Sequence, residues 1–283
     1  MAVKWILPFF SAQDINHIRI CLAAAVSVLY LFIWWIVKIF KKNSSESFLL
    51  FSKREFWLPP IFCGFLLYIF LALQTQGLAY TTVAKSGFIT CLYVLFIPLL
   101  LFFIWKKRFS YTFFLYCSLS VVGVYLLMDA NFDNFNYGDL LTLGCAFVGA
   151  LHIIAVDRMA KNYHPILFNS LQCIVMGVMA TMAVSFNEQW IELSQGLKQL
   201  DNLAIIGFIM IGIFSSFFAF AFQIYAQKTI APHIVAVLFL LESPFAAVSG
   251  FFFLGEQLSH QSILGCFIVL LCAYQISRMS SKT

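Results

Sequence analysis

The chain has 283 residues, of which 62% are hydrophobic and 10% are charged, whereas an ordinary soluble domain has about 25% charged residues. This composition excludes a water-soluble fold, because too few polar side chains remain to cover a surface in water, and lipid is the solvent that fits. The net charge of +5 does not indicate nucleic-acid binding, since the basic residues lie at the ends of predicted helices and form no single patch.

Apolar runs separated by short polar breaks predict about nine complete transmembrane α-helices. Each run reaches roughly 30 Å as a helix, the thickness of a hydrocarbon core. No polar stretch is long enough for a soluble domain, so the predicted fold class is all-α integral membrane. In chain order the predicted helices are Ile15–Val37, Leu58–Leu78, Val83–Trp105, Tyr111–Met128, Gly138–Val156, Pro165–Phe186, Leu203–Tyr225, Pro232–Leu254 and Ser259–Ser277.

Lys and Arg are distributed unequally between the two sides of the predicted membrane. Thirteen of the 17 lie on one side, and Lys4, Arg19, Lys85 and Lys198 lie on the other. The positive-inside rule predicts that the larger set and the C-terminus are cytoplasmic, in a multi-pass protein of the cell (inner) membrane. The acidic break Asp129–Asp139 has no Lys or Arg and falls outside. Lys4 and Arg19 are expected to snorkel to the outer interface.

The two halves of the chain resemble each other weakly, and we call aligned positions repeat mates. In the predicted topology each helix of the first half runs opposite to its mate. This predicts an inverted repeat of residues 1–128 and 138–278, a design typical of secondary transporters that hold substrate at the midplane. Identical mates recur in the same order at offsets of 146 to 149: Gln76 with Gln223, Pro98 with Pro244, Ser110 with Ser259, and Tyr125 with Tyr274.

The first helix of the first repeat is mostly missing from the sequence. Val3 and Asn16 align with Val156 and Asn169 at an offset of 153, so only residues 1–10 remain of that helix. A misassigned start codon and a shortened gene both explain this. No signal peptide is indicated, because there is no basic start, no adequate apolar run and no small-residue cleavage site.

Three segments resemble the EamA-like branch of the drug/metabolite transporter superfamily: Thr81–Pro98, Gly138–Thr142 with Leu151–Ile153, and Leu241–Ser259. The resemblance covers essentially the whole chain. It implies two inverted five-helix repeats, cytoplasmic termini and a central cavity that commonly serves metabolite or amino-acid export. The sequence departs from the family in its truncated first helix. It also departs at Ser243, which separates Glu242 from Pro244 where the family often has Pro directly after Glu.

Glu242 lies near the middle of the predicted helix Pro232–Leu254, where an ionised carboxylate is unfavourable by several kcal/mol. It could bind a substrate amine or exchange the proton that drives transport. A protonated Glu hydrogen-bonded to a neighbouring helix is the structural alternative. Pro98 and Pro244 are predicted to break backbone hydrogen bonding beside a cavity at corresponding positions of the repeats, or to be plain packing kinks. Tyr93 could face the same cavity or pack in the core.

Four further residues complete the candidate set. Gln76 and Gln223 are predicted to lie at the outer and inner mouths of the pathway, although an interhelical hydrogen bond explains each as well. His152 could titrate near neutral pH or be structural. Asp139 is expected to cap its helix and interact with the helix dipole. The eight cysteines form no ligand cluster and are interpreted as buried small hydrophobes.

The sequence has no Walker loop, HExxH or GxSxG motif and no paired intramembrane carboxylates. We therefore predict a secondary transporter, not an enzyme, without cofactor or metal. It would bind a small-molecule substrate, export it by alternating access and use proton coupling as one candidate driving force. The alternatives are a non-functional or partner-dependent truncated membrane protein and, more distantly, a membrane-embedded enzyme. The sequence indicates no particular oligomeric state.

Overall fold

A computed structural model describes residues 2–40, 54–128, 135–186, 196, 200–245, 247–248 and 259–280. None of these residues is in a β-strand, which confirms the predicted all-α fold. In chain order the elements are α1 (Ala2–Ile6), α2 (Ala12–Phe40), α3 (Arg54–Tyr80), α4 (Val83–Cys91), α5 (Tyr93–Trp105), α6 (Tyr111–Met128), α7 (Tyr137–Met159), α8 (Pro165–Phe186), α9 (Asn202–Ile209), a π-helical segment (Met210–Ala219), α10 (Phe220–Ala226), α11 (Pro232–Phe239) and α12 (His260–Ser280).

Eight helical spans of 18 to 26 residues within the described part are long and apolar enough to cross a membrane. They coincide with eight of the nine predicted helices, as expected when every backbone group in lipid must find its partner within the helix. The ninth, predicted as Pro232–Leu254, is an apolar helix from Pro232 to Phe245, and most of its remaining residues lie outside the described ranges. The short helix α1 lies before the first of these spans.

Two compact units make up the chain, and each combines a segment from each of the predicted repeats. The first contains Met1–Ala79 and Ala155–Thr229. In its interior α2 packs against α8 and against the π-helical segment. Two apolar clusters fill it, and in one of them the rings of Phe10 and Phe208 meet edge to face with centroids 5.4 Å apart.

The second unit contains Tyr80–Ile154 and Ile230–Thr283. Its core includes the fully buried Val94, Leu240 and Val269. The helices α6 and α12 pack so closely that a Cβ atom on Gly265 would lie 2.5 Å from the carbonyl oxygen of Gly123. Glycine is therefore required where these two backbones meet.

Three predicted continuous helices contain an irregularity. The predicted helix Val83–Trp105 is divided by a turn at Leu92. The helix that begins at Pro232 has a turn at Leu240 and Leu241. The predicted α-helix Leu203–Tyr225 is wound as a π-helix in its central ten residues. The two turns lie at the candidate site, and the π-helical segment lies in the polar interior of the first unit.

The predicted snorkelling of Arg19 is wrong, because Arg19 is only 2% exposed. Its Nε donates to the Ser216 hydroxyl at 3.2 Å and its Nη1 donates to the Thr75 hydroxyl at 3.1 Å. Hydroxyl acceptors inside the first unit thus stabilise the guanidinium, which has no need to reach the interface. The side chain of Lys4, the other predicted snorkelling residue, lies outside the described part of the structure.

Candidate functional site

Two helix interruptions in the second unit have similar local geometry. The Leu92 amide donates to the Ile89 carbonyl oxygen at 3.1 Å. The amides of Leu240 and Leu241 likewise donate to carbonyl oxygens three residues earlier, each at 3.1 Å. Such bonds belong to tighter 3₁₀-type turns, so at both places the α-helical ladder is locally replaced.

The turns lie upstream of the prolines that were expected to mark them. Pro98 is buried inside α5, six residues after Leu92. Pro244 is buried and lies four residues after Leu240. A proline ring clashes with the carbonyl group four residues earlier, which is that of Leu240 for Pro244 and that of Val94 for Pro98. The clash therefore accounts for the turn at Leu240, whereas the turn at Leu92 lies two residues upstream of the clash.

The residues that flank these two turns lie together. The Cys91 Sγ and Ser243 Oγ atoms are 3.9 Å apart. The Glu242 side chain lies in the neighbourhood of the Cys91 and Tyr93 side chains. We call Cys91, Tyr93, Glu242 and Ser243 the interruption site. It contains residues from immediately before and after the first turn and from immediately after the second.

The four side chains of the interruption site differ in exposure. Cys91 is 8% exposed, Tyr93 is 9% exposed and Ser243 is 5% exposed, whereas Glu242 is exposed. An ionisable residue in a membrane-spanning segment normally faces the bundle interior or a water-filled cavity. The site thus places the Glu242 carboxyl group near a phenol, a thiol and a hydroxyl. This set can accept hydrogen bonds from a cationic amine or hold an exchangeable proton.

Only part of this site is predictable from the sequence. Tyr93 and Glu242 are predicted site residues, and the structure brings them together. The sequence predicts Cys91 only as a buried hydrophobe and gives Ser243 no role beyond separating Glu242 from Pro244. Their one available signal was adjacency to a candidate, since each lies within two residues of Tyr93 or Glu242 in the sequence.

The remaining candidates occupy other positions. His152 is 2% exposed on α7, and its pathway role stays a prediction. In the first unit, Gln223 is 4% exposed and donates through Nε2 to the Gln227 Oε1 atom at 3.1 Å. Gln76 is half-buried on α3. The roles of both glutamines at the mouths of the pathway also stay predictions.

The N-cap residue of α7 is Asn136, and not Asp139 as predicted. The Asp139 amide donates to the Asn136 Oδ1 atom at 3.0 Å, and the Asn136 amide donates to the Asp139 Oδ2 atom at 3.0 Å. This reciprocal pattern is that of a capping box, in which Asp139 is the partner in the first turn of the helix. The other partners of Asp139 are not indicated by the sequence. They are the hydroxyl of Thr81 and the Lys85 Nζ atom, which lies 3.3 Å from Oδ2.

The ion pair of Lys85 with Asp139 is enclosed by protein, with side chains that are 10% and 0% exposed. It connects the first turn of α4 to the first turn of α7. Cys91 is the last residue of the same short helix α4. One nine-residue helix therefore carries the buried ion pair at one end and a residue of the interruption site at the other.

Within the described ranges, no group of three or more His, Cys, Asp or Glu residues is arranged to hold a metal ion.

Comparison with protein families finds a match to membrane transporters. The model of the EamA-like transporter family matches residues 1–129 and again residues 136–278. An uncharacterized transporter of Archaeoglobus fulgidus is 27% identical over 204 residues, which are 72% of this chain and 63% of the relative. The chain thus spans less than two thirds of the length of that relative.

A solved crystal structure has the same fold. It matches with a TM-score of 0.68 at 14% identity, over 93% of this chain and 88% of the other.

Proposed function

Because the chain belongs to the EamA-like transporter family, we propose that it is a multi-pass secondary transporter that exports a small metabolite or amino acid by alternating access. The uncharacterized transporter of Archaeoglobus fulgidus supports transport as the general activity. The charge asymmetry of the loops supports a location in the cell (inner) membrane with a cytoplasmic C-terminus.

The observation that carries the proposal is the contact between the two helix interruptions, with 3.9 Å between Cys91 Sγ and Ser243 Oγ. Interrupted helices in corresponding positions of two repeats are the arrangement in which transporters expose backbone groups to a substrate. The substrate would bind at the interruption site. The exposed Glu242 would bind a substrate amine or exchange the coupling proton, and Tyr93 would orient the ligand.

A carboxylate is well suited to this position. In a membrane-spanning segment its charged form is unfavourable without a partner, so binding of a cation or a proton stabilises it strongly. This dependence couples occupancy of the site to the conformation that surrounds it. On this proposal, Gln76, Gln223 and His152 are polar residues along the remainder of the pathway.

The test is the substitution Glu242→Gln in the full chain, reconstituted in proteoliposomes. The compounds would come from a thermal-shift screen of amino acids and small metabolites against the purified protein. The variant should lose transport by about tenfold or more, the effect of removing a charge-assisted hydrogen bond. Its stability should change little, because the replacement is nearly isosteric.

Glu55→Gln provides the matched control. Glu55 lies in the first turn of α3 and is exposed, so the same substitution there should leave transport unchanged. Transport by Glu242→Gln at the wild-type rate and with unchanged pH dependence would reduce Glu242 to a structural residue. A loss that appears equally in Glu55→Gln would also refute the assignment.

A further inference from the structure

The π-helical segment Met210–Ala219 lies between the α-helices α9 and α10. π-Helices are rare and mostly consist of a single turn inserted in an α-helix, frequently at a functional site. A stretch of ten residues exceeds this length and requires stabilisation by its surroundings. The side chains of neighbouring helices provide that stabilisation.

The Ser216 hydroxyl shows the winding directly. It donates to the Ile211 carbonyl oxygen, five residues earlier, at 2.7 Å. Hydroxyl groups in the α-helices of this structure donate instead to the carbonyl oxygen four residues earlier, as helical Ser and Thr commonly do. The side chains that do so are Ser27, Thr75, Thr90, Ser120, Thr142 and Thr181. The hydrogen bond of Ser216 therefore depends on π winding.

Arg19 connects this hydroxyl to a second helix. Its Nε donates to the Ser216 Oγ atom at 3.2 Å, while its Nη1 donates to the Thr75 Oγ1 atom on α3 at 3.1 Å. The planar guanidinium group fixes the directions of its donors. If the segment changed to α winding, the Ser216 side chain would point in a different direction around the helix, and this geometry would be lost.

Neighbouring residues support the same winding. The Asn169 Nδ2 atom on α8 donates to the Phe217 carbonyl oxygen at 2.9 Å. The Cys173 Sγ atom lies 3.7 Å from the Ser216 carbonyl oxygen. Gly212 allows close approach of α2, because a Cβ atom there would lie 3.2 Å from the Arg19 carbonyl oxygen. Contacts from α2 and α8 thus converge on this segment.

We infer that Arg19 is a positioning residue of the transport cycle, which acts through Ser216 to hold Met210–Ala219 in π winding and thereby sets the orientation of Gln223. The π and α windings differ in their number of residues per turn, so a change of winding rotates α10 about its axis. Gln223 lies on α10, four residues beyond the segment. The transport part of this inference rests on the proposed function.

The winding itself can be tested without a substrate. The full chain in lipid nanodiscs would be studied by hydrogen–deuterium exchange of peptides that cover residues 210–226. Ser216→Ala should accelerate exchange there by about tenfold, the effect of one lost buried hydrogen bond. Arg19→Lys keeps the charge but lacks the guanidinium fork, and it should act in the same direction. Ser216→Thr retains a hydroxyl, so exchange in this variant should be as slow as in the wild-type protein.

Ser120→Ala is the matched control, because Ser120 is fully buried and donates to the carbonyl oxygen four residues earlier at 2.8 Å. It should leave exchange at residues 210–226 unchanged. In proteoliposomes, Ser216→Ala should lower the maximal transport rate with little change in KM, because it alters a conformational step and not ligand contact.

Unchanged exchange in both Ser216→Ala and Arg19→Lys would overturn the inference, whatever happens to transport. Faster exchange with a wild-type transport rate would overturn the positioning role of Arg19. A parent protein that transports none of the screened compounds would count against the proposed function, while the exchange result would still decide the role of Arg19 in the winding.

Discussion

The buried ion pair of Lys85 and Asp139 permits a quantitative prediction for stability. At the observed 3.3 Å, an effective dielectric constant of about 20 gives an attraction of about 5 kcal/mol. Asp139→Asn would leave the Lys85 ammonium group buried opposite a neutral amide. Loss of one partner from a buried pair destabilises a protein by about 3–5 kcal/mol, and we expect that range for this variant.

Lys85→Met should destabilise less, by about 1–3 kcal/mol, because Asp139 keeps two other donors in the Thr81 hydroxyl and the Asn136 amide. The double variant removes both charges, so its free energy of unfolding should fall by less than the sum of the two single effects. The measurement is a double-mutant cycle from equilibrium unfolding in mixed detergent micelles.

The pair of Lys161 and Asp157 provides an internal comparison, because one of its partners reaches solvent. Its atoms are 3.7 Å apart, the Lys161 side chain is 56% exposed and the Asp157 side chain is 11% exposed. The same substitution, Asp157→Asn, should change the free energy of unfolding by about 1 kcal/mol or less, since solvent screens the Lys161 ammonium group. Additive effects of Asp139→Asn and Lys85→Met, or an equal effect of Asp157→Asn, would refute the reasoning.

Two further predictions concern packing and topology. Gly265→Ala should destabilise the protein by about 1–3 kcal/mol, because the new Cβ atom would lie 2.5 Å from the Gly123 carbonyl oxygen and from the Leu127 amide nitrogen; unchanged thermal unfolding would contradict this packing. A reporter fused after Thr283 should be cytoplasmic and a tag at Asn134 should be reachable from outside. The opposite labelling pattern in intact cells would reverse the orientation.

The membrane-spanning helices were predictable because the bilayer imposes a simple rule. A helix must present about 20 apolar residues to cross the hydrocarbon core, and runs of that length are visible in the sequence. The observed spans Val83–Trp105, Tyr111–Met128 and Pro165–Ser185 begin at the predicted residues and end within one residue of the predicted ends. The thickness of the hydrocarbon core, and not a specific tertiary contact, determines where these helices begin and end.

The irregular backbone was less predictable, because the residues at the turns give no local signal. Leu92 and Leu240 are good helix formers, yet both lie at interruptions. Pro98 and Pro244 indicated the right neighbourhoods. The π-helical segment had no comparable marker, since its stabilising contacts come from other helices.

Buried charges depend even more on distant residues. The partner of Arg19 in the π-helical segment is 197 residues away in the sequence, and the partner of Lys85 is 54 residues away. From the sequence alone, both residues looked like cations near the outer interface. Only the tertiary structure shows that Arg19 donates to Ser216 and that Lys85 pairs with Asp139.

Contacts between repeat mates support the predicted inverted repeat. Ala24 and Gly177 are mates at the offset of 153, and a Cβ atom on Gly177 would lie 2.9 Å from the Ala24 Cβ atom. Two mates that contact each other must lie next to the two-fold axis that relates the repeats. Nearby, the side chain of Ser27 lies beside that of Cys173, and the side chain of Cys21 lies beside that of Thr181. In these contacts residue numbers increase along α2 while they decrease along α8. The two helices, which are aligned with each other in the repeat, therefore run antiparallel.

The pair α6 and α12 shows the same relation in the second unit. A Cβ atom on Gly123 would lie 2.9 Å from Val269. At the offset of 149 the mate of Gly123 is Cys272, and the mate of Val269 is Ser120. A two-fold axis therefore requires Ser120 and Cys272 to lie close together, and these two side chains are neighbours.

The charged residues of the interior do not follow this symmetry. At the same offsets, the mate of Arg19 is Gln172, and at the offset of 146 the mate of Glu242 is Phe96. Two related halves with identical side chains would have equal energies in mirrored conformations. The Arg19 guanidinium group has no counterpart in the other half, and the Glu242 carboxylate has none either. These two differences remove the equality of the two energies. We therefore attribute the packing of the helices to the repeat, and a difference in free energy between the inward-facing and outward-facing conformations of the proposed transporter to the residues in which mates differ.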